Sequence, residues 1–312
     1  MITALGEALV DLIQQPDGNF KPCLGGSVFN FCIGAARQGL DTAYLNPLSQ
    51  DRFGQQFVAR LNENKVEMRA AYTSQLPTAL AVVSLDAEGK PTYAFHHGPV
   101  ADRDIDAQKV IASLPNKISL LHTGGLALIP EDVDKIITVM QAVAKRGGVL
   151  SVDANLRPIA SNDLSAYRAG VLHALRQSHI IKVSDEDLHH LGFASEDLIA
   201  SAKKLFENSE VQLIALTLGA NGAALITGSA MIKLLPPKLH IQDTVGAGDC
   251  FQAGLIGYLA RAEKLNQAAI KHLDEKLLTN ALHHAIAAAS INITRAGCDP
   301  ATWEETAAFD FS

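Results

Sequence analysis

The sequence predicts an α/β fold: a mainly parallel sheet covered by helices on both faces, with a small extra sheet attached. Three observations carry this. First, short runs nearly continuous in apolar residues recur along the middle of the chain: "ISLLHTGG" (118–125), "VLSVDANLR" (149–157), "HIIKVS" (179–184) and "VQLIALTLG" (211–219). Strands covered on both faces read this way, and segments of helical spacing between them supply the crossovers that parallel strands need. Second, "LVDLIQQPDGNFKPCLGG" (9–26) and "ALAVVSLDAEGKPTYAFHHG" (79–98) break that rhythm. Both contain short extended pieces around turn residues, P-D-G in one and "DAEGK" in the other, and neither contains a helix. Third, 312 residues with 48% hydrophobic and 19% charged suit one substantial core.

Taken in order, "MITALGEALVDLI" reads as a first β-strand. It has neither the basic start nor the small-residue cleavage site of a signal peptide. The strand at 118–125 is followed by a helix that Pro130 opens and Gly147 ends. Further helices, through Leu175 and Leu205, precede the next two strands. No linker, repeat or low-complexity tract divides the chain, so residues 1–312 form one domain, with a discontinuous lid from about 12–24 and 79–98.

The charge balance, 26 Lys+Arg against 33 Asp+Glu, gives −7. That argues against a nucleic-acid or membrane-surface partner, both of which require a basic face. No run reaches the roughly 18 apolar residues of a membrane span. Cys23, Cys32, Cys250 and Cys298 are scattered without a C-x-x-C pair, which suits a reduced, cytoplasmic protein. Neither a G-x-x-x-x-G-K-S/T loop nor a G-x-G-x-x-G after the first strand is present, which excludes a P-loop kinase and disfavours a dinucleotide oxidoreductase.

The chemistry concentrates in "QDTVGAGDCFQAGL" (242–255). Gly246, Ala247 and Gly248 lie between an extended stretch and a helical one, at a helix N-terminus whose first N–H groups have no intrahelical partner. Small residues there let an anion approach the backbone, and the helix dipole favours its charge. Asp249 follows in the first turn. Read alone it is a first-turn acid. Beside an anion cradle, a carboxylate is useful when the anion is a group in transfer and the carboxylate takes a proton from the acceptor. That is the arrangement phosphoryl transfer to a hydroxyl requires.

This segment resembles the C-terminal signature of the ribokinase-like carbohydrate kinases, the PfkB family. "GGSVFNFCIGAARQG" (25–39), followed by "DRFG" (51–54), resembles the family's N-terminal signature. The resemblance covers essentially the whole chain. It implies a three-layer α/β/α domain with a β-sheet lid, ATP and Mg²⁺ as phosphoryl donor and metal, a monovalent cation such as K⁺, and a homodimer through the lid. It makes Asp249 the general base and the backbone of Gly246, Ala247 and Gly248 the anion hole. Asp11, Gly25, Gly26 and Asn30 would form the sugar pocket, with Phe29, Phe31, His96 and His97 adding specificity. Phe29 reads equally as core, and Asn30 alone reads as a helix cap.

"TLGANGAAL" (217–225) resembles the family's nucleotide turn, assigning Thr217, Gly219 and Gly222 to ATP, with Ala289 and Asn292 near adenine. "KVSDEDL" (182–188) stands where relatives carry N-x-x-E. It would place Ser184 at the nucleotide and Asp187 at magnesium through water, with Glu186 competing. "VDANLR" (152–157) resembles a D-x-N-x-R seen in fructokinase-like and ketodeoxygluconate kinase-like members. On that reading Arg157 binds a sugar group or phosphate, and Asp153 and Asn155 line the phosphate site. Asp243 and the backbone of Val245 match the monovalent-cation region. The pattern is nearest to bacterial fructokinases. Ketodeoxygluconate kinase and aminoimidazole riboside or another nucleoside kinase are the alternatives. A catalytically dead sugar-binding relative would show a damaged G-A-G-D or sugar-site Asp, and both are intact here.

Overall fold

The computed structural model describes residues 1–85 and 91–311. Along the chain come β1 (Ile2–Ala4), β2 (Leu9–Gln14), β3 (Phe20–Gly25), α1 (Ser27–Arg37), β4 (Thr42–Tyr44), α2 (Arg52–Glu63) and β5 (Glu67–Met68). Next are β6 (Ala79–Leu85), β7 (Pro91–His96), α3 (Ala107–Ser113), β8 (Leu120–Gly124), α4 (Val133–Lys145), β9 (Val149–Asp153) and α5 (Leu164–Arg176). Then follow β10 (Ile180–Ser184), α6 (Asp185–His190), α7 (Leu198–Lys203), β11 (Leu213–Thr217), β12 (Ala223–Ile226) and β13 (Met231–Leu234). The last elements are α8 (Ala247–Arg261), α9 (Glu275–Ile293) and α10 (Trp303–Ala307).

The main sheet has nine strands in the order β13-β12-β11-β10-β9-β8-β1-β4-β5. It is parallel from β11 to β5, and antiparallel only where β12 and β13 are added at one edge. Side-chain alternation divides the apolar residues between two main clusters. Ile181, Val183, Ile214 and Leu216 join residues of α4 and α5 on one face. Ile180, Leu213 and Ala215 join α1, α8 and α9 on the other. This accounts for the continuous apolar runs in the sequence: both faces of each central strand are covered.

The smaller sheet, in the order β3-β2-β6-β7, is the expected lid. Its strands fall within residues 9–25 and 79–96, so the first segment starts earlier than expected and the second ends two residues sooner. The "DAEGK" turn at 86–90 lies outside the described residues. β6 and β7 on either side of it pair antiparallel, Leu80 opposite His96.

Two expectations need correction. The N-terminal run is not one strand. It breaks after Ala4, and its halves enter different sheets: β1 lies in the main sheet and β2 in the lid. The helix expected from Pro130 begins at Val133. The Ile129 carbonyl first closes a turn over Pro130 by accepting from the N–H groups of Asp132 and Val133. The Asp132 carboxylate is meanwhile taken up by Arg103 and Lys135.

Candidate active site

The site forms where α1 and α8 meet at the carboxyl ends of the central strands. α8 begins one residue after Gly246, which caps it in a left-handed conformation (φ +73°). Any side chain at Gly246 would collide with the Cys298 thiol, so both backbone and space demand glycine. Ala247 returns its N–H to the Thr244 carbonyl at 3.2 Å. The N–H groups of Gly246 and Gly248 have no acceptor among the described residues, and they form the open part of the cradle.

Asp249, in the first turn of α8, is buried. Two residues of α1 orient it. Ser27 Oγ donates to its Oδ1 at 2.7 Å, and Asn30 Nδ2 donates to its Oδ2 at 2.9 Å. Asn30 is therefore no helix cap: its amide faces α8. The N–H of Ser27 in turn donates to Glu7 Oε1 at 3.2 Å. Burial raises the Asp249 carboxyl above its ordinary range, against the pull of these two hydrogen bonds and of the nearby Lys182 and Arg157 charges. A carboxylate made more basic, with both oxygens held in place, suits proton abstraction.

Asp11 stands on β2, opposite Cys23 of β3. Its Oδ2 occupies the space that a side chain on Gly25 would fill. Burial, then the neighbouring Asp249 charge, push its pKa up to about 6, with Arg157 pulling it down. Beneath the pocket, burial raises Glu7 to about 8, so it carries a proton at neutral pH. Gly26 sits over the Glu7 carbonyl. His97, at the end of β7, lies edge-on to Phe95 and receives Arg103 on its carbonyl at 2.7 Å. Burial and the Arg103 charge lower its pKa, and its buried Nδ1 has no partner among the described residues. His96 is exposed.

Arg157 is exposed, just before a 3₁₀ turn at Pro158–Ala160. Its charge acts on both Asp11 and Asp249, so it borders the same cleft. Burial raises the pKa of Tyr93 on β7, and the charges of Arg157, Asp11, Asp243 and Glu186 all reach it, so these four groups border one cleft near that strand.

The presumed nucleotide and magnesium end differs from the expectation. Asp187 is buried, and its oxygens are engaged: Oδ1 by the Leu156 N–H at 2.9 Å, Oδ2 by the N–H and hydroxyl of Ser184 at 2.8 Å each. Ser184 and Asp187 form the capping box of α6. With three donors already on its two oxygens, Asp187 is less suited to magnesium than the exposed carboxylates of the same turn, Asp185 and Glu186, the latter 72% exposed with His190 Nε2 at 3.5 Å. Asn292 is fully buried and also engaged, Nδ2 on the Val245 carbonyl and Oδ1 accepting from the Asp299 N–H. It ties loops together, and its full burial sets it back from any open nucleotide surface. Phe29 belongs to the core, edge-on to Tyr44 and Phe57. Gly222 is required because a side chain there would strike the Leu234 carbonyl of β13. Thr217, Gly219 and the half-buried Ala289 remain beside the β11–β12 turn and on α9.

Asp243 joins two loops, accepting from the Val245 N–H at 2.9 Å and the Gly297 N–H at 2.8 Å. Its carboxylate and the Val245 carbonyl are oxygen donors with lone pairs to spare, which fits a monovalent cation. Among the described residues no cluster of three His, Cys, Asp or Glu side chains is arranged to hold a metal by itself.

Sequence reasoning missed Ser27, Glu7, Tyr93 and the buried Lys182–Asp153 pair (Nζ to Oδ2 2.8 Å). A lone Lys inside the apolar "IIKVS" was the available signal, since a charge in a doubly covered strand must find a partner.

A doubly covered parallel sheet, a β-sheet lid and a buried, oriented carboxylate at a helix-N-terminal anion cradle define a small-molecule phosphotransferase of the ribokinase-like type. The chain matches the pfkB family carbohydrate kinase model over residues 1–305, and it belongs to that family. A fructokinase of Rhizobium leguminosarum bv. trifolii is 30% identical over 284 residues, covering 90% of this chain and 86% of the relative. The fold is that of the Xylella fastidiosa fructokinase with bound ATP, with a TM-score of 0.87 at 24% identity over 98% of this chain and 96% of that one. The Vibrio cholerae O395 fructokinase in its fructose-, ADP- and calcium-bound form gives 0.79 at 25% identity, covering 95% and 94%.

Proposed function

We propose that this carbohydrate kinase is a fructokinase, transferring the γ-phosphoryl group of ATP to the 6-hydroxyl of fructose with Asp249 as general base. The observation that carries the mechanism is the placement of Asp249: buried, made more basic, held by Ser27 and Asn30, and one residue from the Gly248 N–H. The fructokinase relative at 30% identity supports the sugar.

On this reading Asp11 accepts sugar hydroxyls, and the Gly25–Gly26 backbone, Asn30 and His97 complete the pocket. Asp249 takes the proton of the attacking hydroxyl as its oxygen bonds to phosphorus and the bond to the ADP oxygen breaks. The charge on the transferring group is met by the Gly246 and Gly248 N–H groups and by Arg157. Thr217 and Gly219 border the nucleotide. Magnesium, reached through water from Glu186, would neutralise phosphate charge, and K⁺ at Asp243 and Val245 would steady the loop leading into the cradle. The lid closes over the sugar to exclude water. Phe20 and Tyr93, exposed on the lid, support a homodimer there, which light scattering would test. Four free thiols support a reducing, cytoplasmic setting.

The test is ATP consumption with Mg²⁺ and K⁺ on fructose, ribose, ketodeoxygluconate, aminoimidazole riboside, adenosine and inosine. Fructose is expected to give the highest kcat/KM. A higher value for another member would overturn the substrate and keep the mechanism.

A further inference from the structure

Among the described residues, Lys182 is the one buried cation at the cradle that the mechanism above leaves without a task. β9 and β10 are parallel with Lys182, in the middle of β10, opposite Asp153, the last residue of β9. Two residues earlier in the same register stand Ser151 and Ile180. Ser151 Oγ accepts from Gln252 Nε2 of α8 at 2.9 Å, and Ile180 joins the apolar cluster that includes α8. The two-residue period therefore brings Asp153 and Lys182 onto the α8 face as well. Lys182 Nζ donates to Asp153 Oδ1 at 2.9 Å and Oδ2 at 2.8 Å, and both residues are buried. A Cβ on Gly248 would lie 3.1 Å from both Nζ and Cε of Lys182. The ammonium is thus packed directly against the cradle glycine.

Stability alone is a weak reason for this arrangement. A buried ion pair rarely outperforms a well-packed apolar pair, and a cation near a helix N-terminus adds to the positive end of the dipole. Both costs become useful once a multiply charged anion enters the cradle. We propose that Lys182 is a positioning residue of the anion cradle. Tethered by Asp153, its ammonium stands behind Gly248 and stabilises negative charge on the phosphoryl group during transfer. No bond to Lys182 forms or breaks, and its contribution is electrostatic. The inference rests on the phosphoryl-transfer reading and adds a member to its machinery. Burial opposes the ammonium charge, but Asp153, then Asp187 and Asp249, outweigh it and hold Lys182 protonated.

The experiment compares Lys182→Met, Asp153→Asn and the double variant for turnover, stability and affinity for ADP with aluminium fluoride, a mimic of the group in transfer. Lys182→Met is expected to lower kcat about 100-fold, with the sugar KM changed less than about threefold. It should weaken ADP–aluminium fluoride far more than ADP. Removing one partner of a buried pair also destabilises, so the double variant, with neither charge left, separates the two roles. It is expected to recover stability while kcat and aluminium fluoride affinity stay low. Asp153→Asn keeps the ammonium and is expected to lose less kcat than Lys182→Met. Recovery of kcat with stability in the double variant, or equal losses in the two single variants, would overturn the proposal and leave the pair structural. If the native protein phosphorylates no sugar, the kinase reading falls. The aluminium fluoride comparison still reports on Lys182.

Discussion

The two ends of the cleft use their polar residues in opposite ways. At the start of α8, Asp249 is buried with its basicity raised, and the side chains holding it come from another helix. At the start of α6, Asp187 is equally buried, but its oxygens take three hydrogen bonds, two from its own turn and one from the Leu156 N–H. Both are first-turn acids of short sequence motifs. The difference lies in what the neighbouring elements leave over. Ser27 and Asn30 each give Asp249 one hydrogen bond and leave lone pairs for a substrate proton, whereas the capping box consumes Asp187. A first-turn carboxylate thus becomes chemical or structural according to how many donors reach it.

The contrast can be broken from either side. The largest effect is expected at the cradle. Gly246→Val requires a left-handed backbone that valine resists and drives its side chain into Cys298. Steady-state kinetics should show kcat down by about 10²–10³-fold, the cost of losing an oxyanion donor. A variant with near-native kcat would mean that the α8 start does not hold the phosphoryl group.

A smaller effect concerns Asp11, whose pKa is raised to about 6. As pH falls through that value the carboxylate gains a proton and loses half its acceptor capacity, so the sugar KM should rise several-fold between about pH 7 and pH 5. Asp11→Asn should have a raised KM that no longer changes over this range. A flat native profile would remove Asp11 from the sugar pocket.

The smallest effects separate the two acids at α6. Asp187→Asn puts an amide where Ser184 donates, and should cost about 1–3 kcal/mol of stability in urea unfolding with little change in magnesium requirement. Glu186→Gln should do the reverse, raising the magnesium concentration for half-maximal rate at unchanged stability. If Asp187→Asn moves the magnesium requirement instead, the capping-box assignment of that end is wrong.

These contrasts also mark how far the sequence could be read. The parallel sheet, the lid and the cradle with its Asp are local patterns: apolar runs of strand length, turn residues, and small residues ahead of a helix. Each is written within a dozen or so neighbours. What was hidden depends on register and on third partners. Lys182 and Asp153 meet because β9 and β10 pair at that residue, and nothing in their 29-residue separation announces it. Ser27 was in view inside "GGSVFN", but its task is set by α8, 222 positions on. The capping role of Asp187 was hidden for the same reason: the spacing of S-x-x-D suits a metal ligand and a capping box equally. Only the Leu156 N–H, arriving from another loop, decides between them. The break in the N-terminal strand is hidden too, because both halves are apolar and extended and differ only in which sheet receives them.

The central claim is that Asp249 takes a proton from the sugar. The most direct measurement pairs turnover with binding for Asp249→Asn, which keeps the shape and one acceptor for α1 but cannot accept the proton. The account predicts a loss in kcat of about 10²–10⁴-fold, with fructose affinity by calorimetry within a few-fold of the native protein. Near-native turnover in this variant would contradict it.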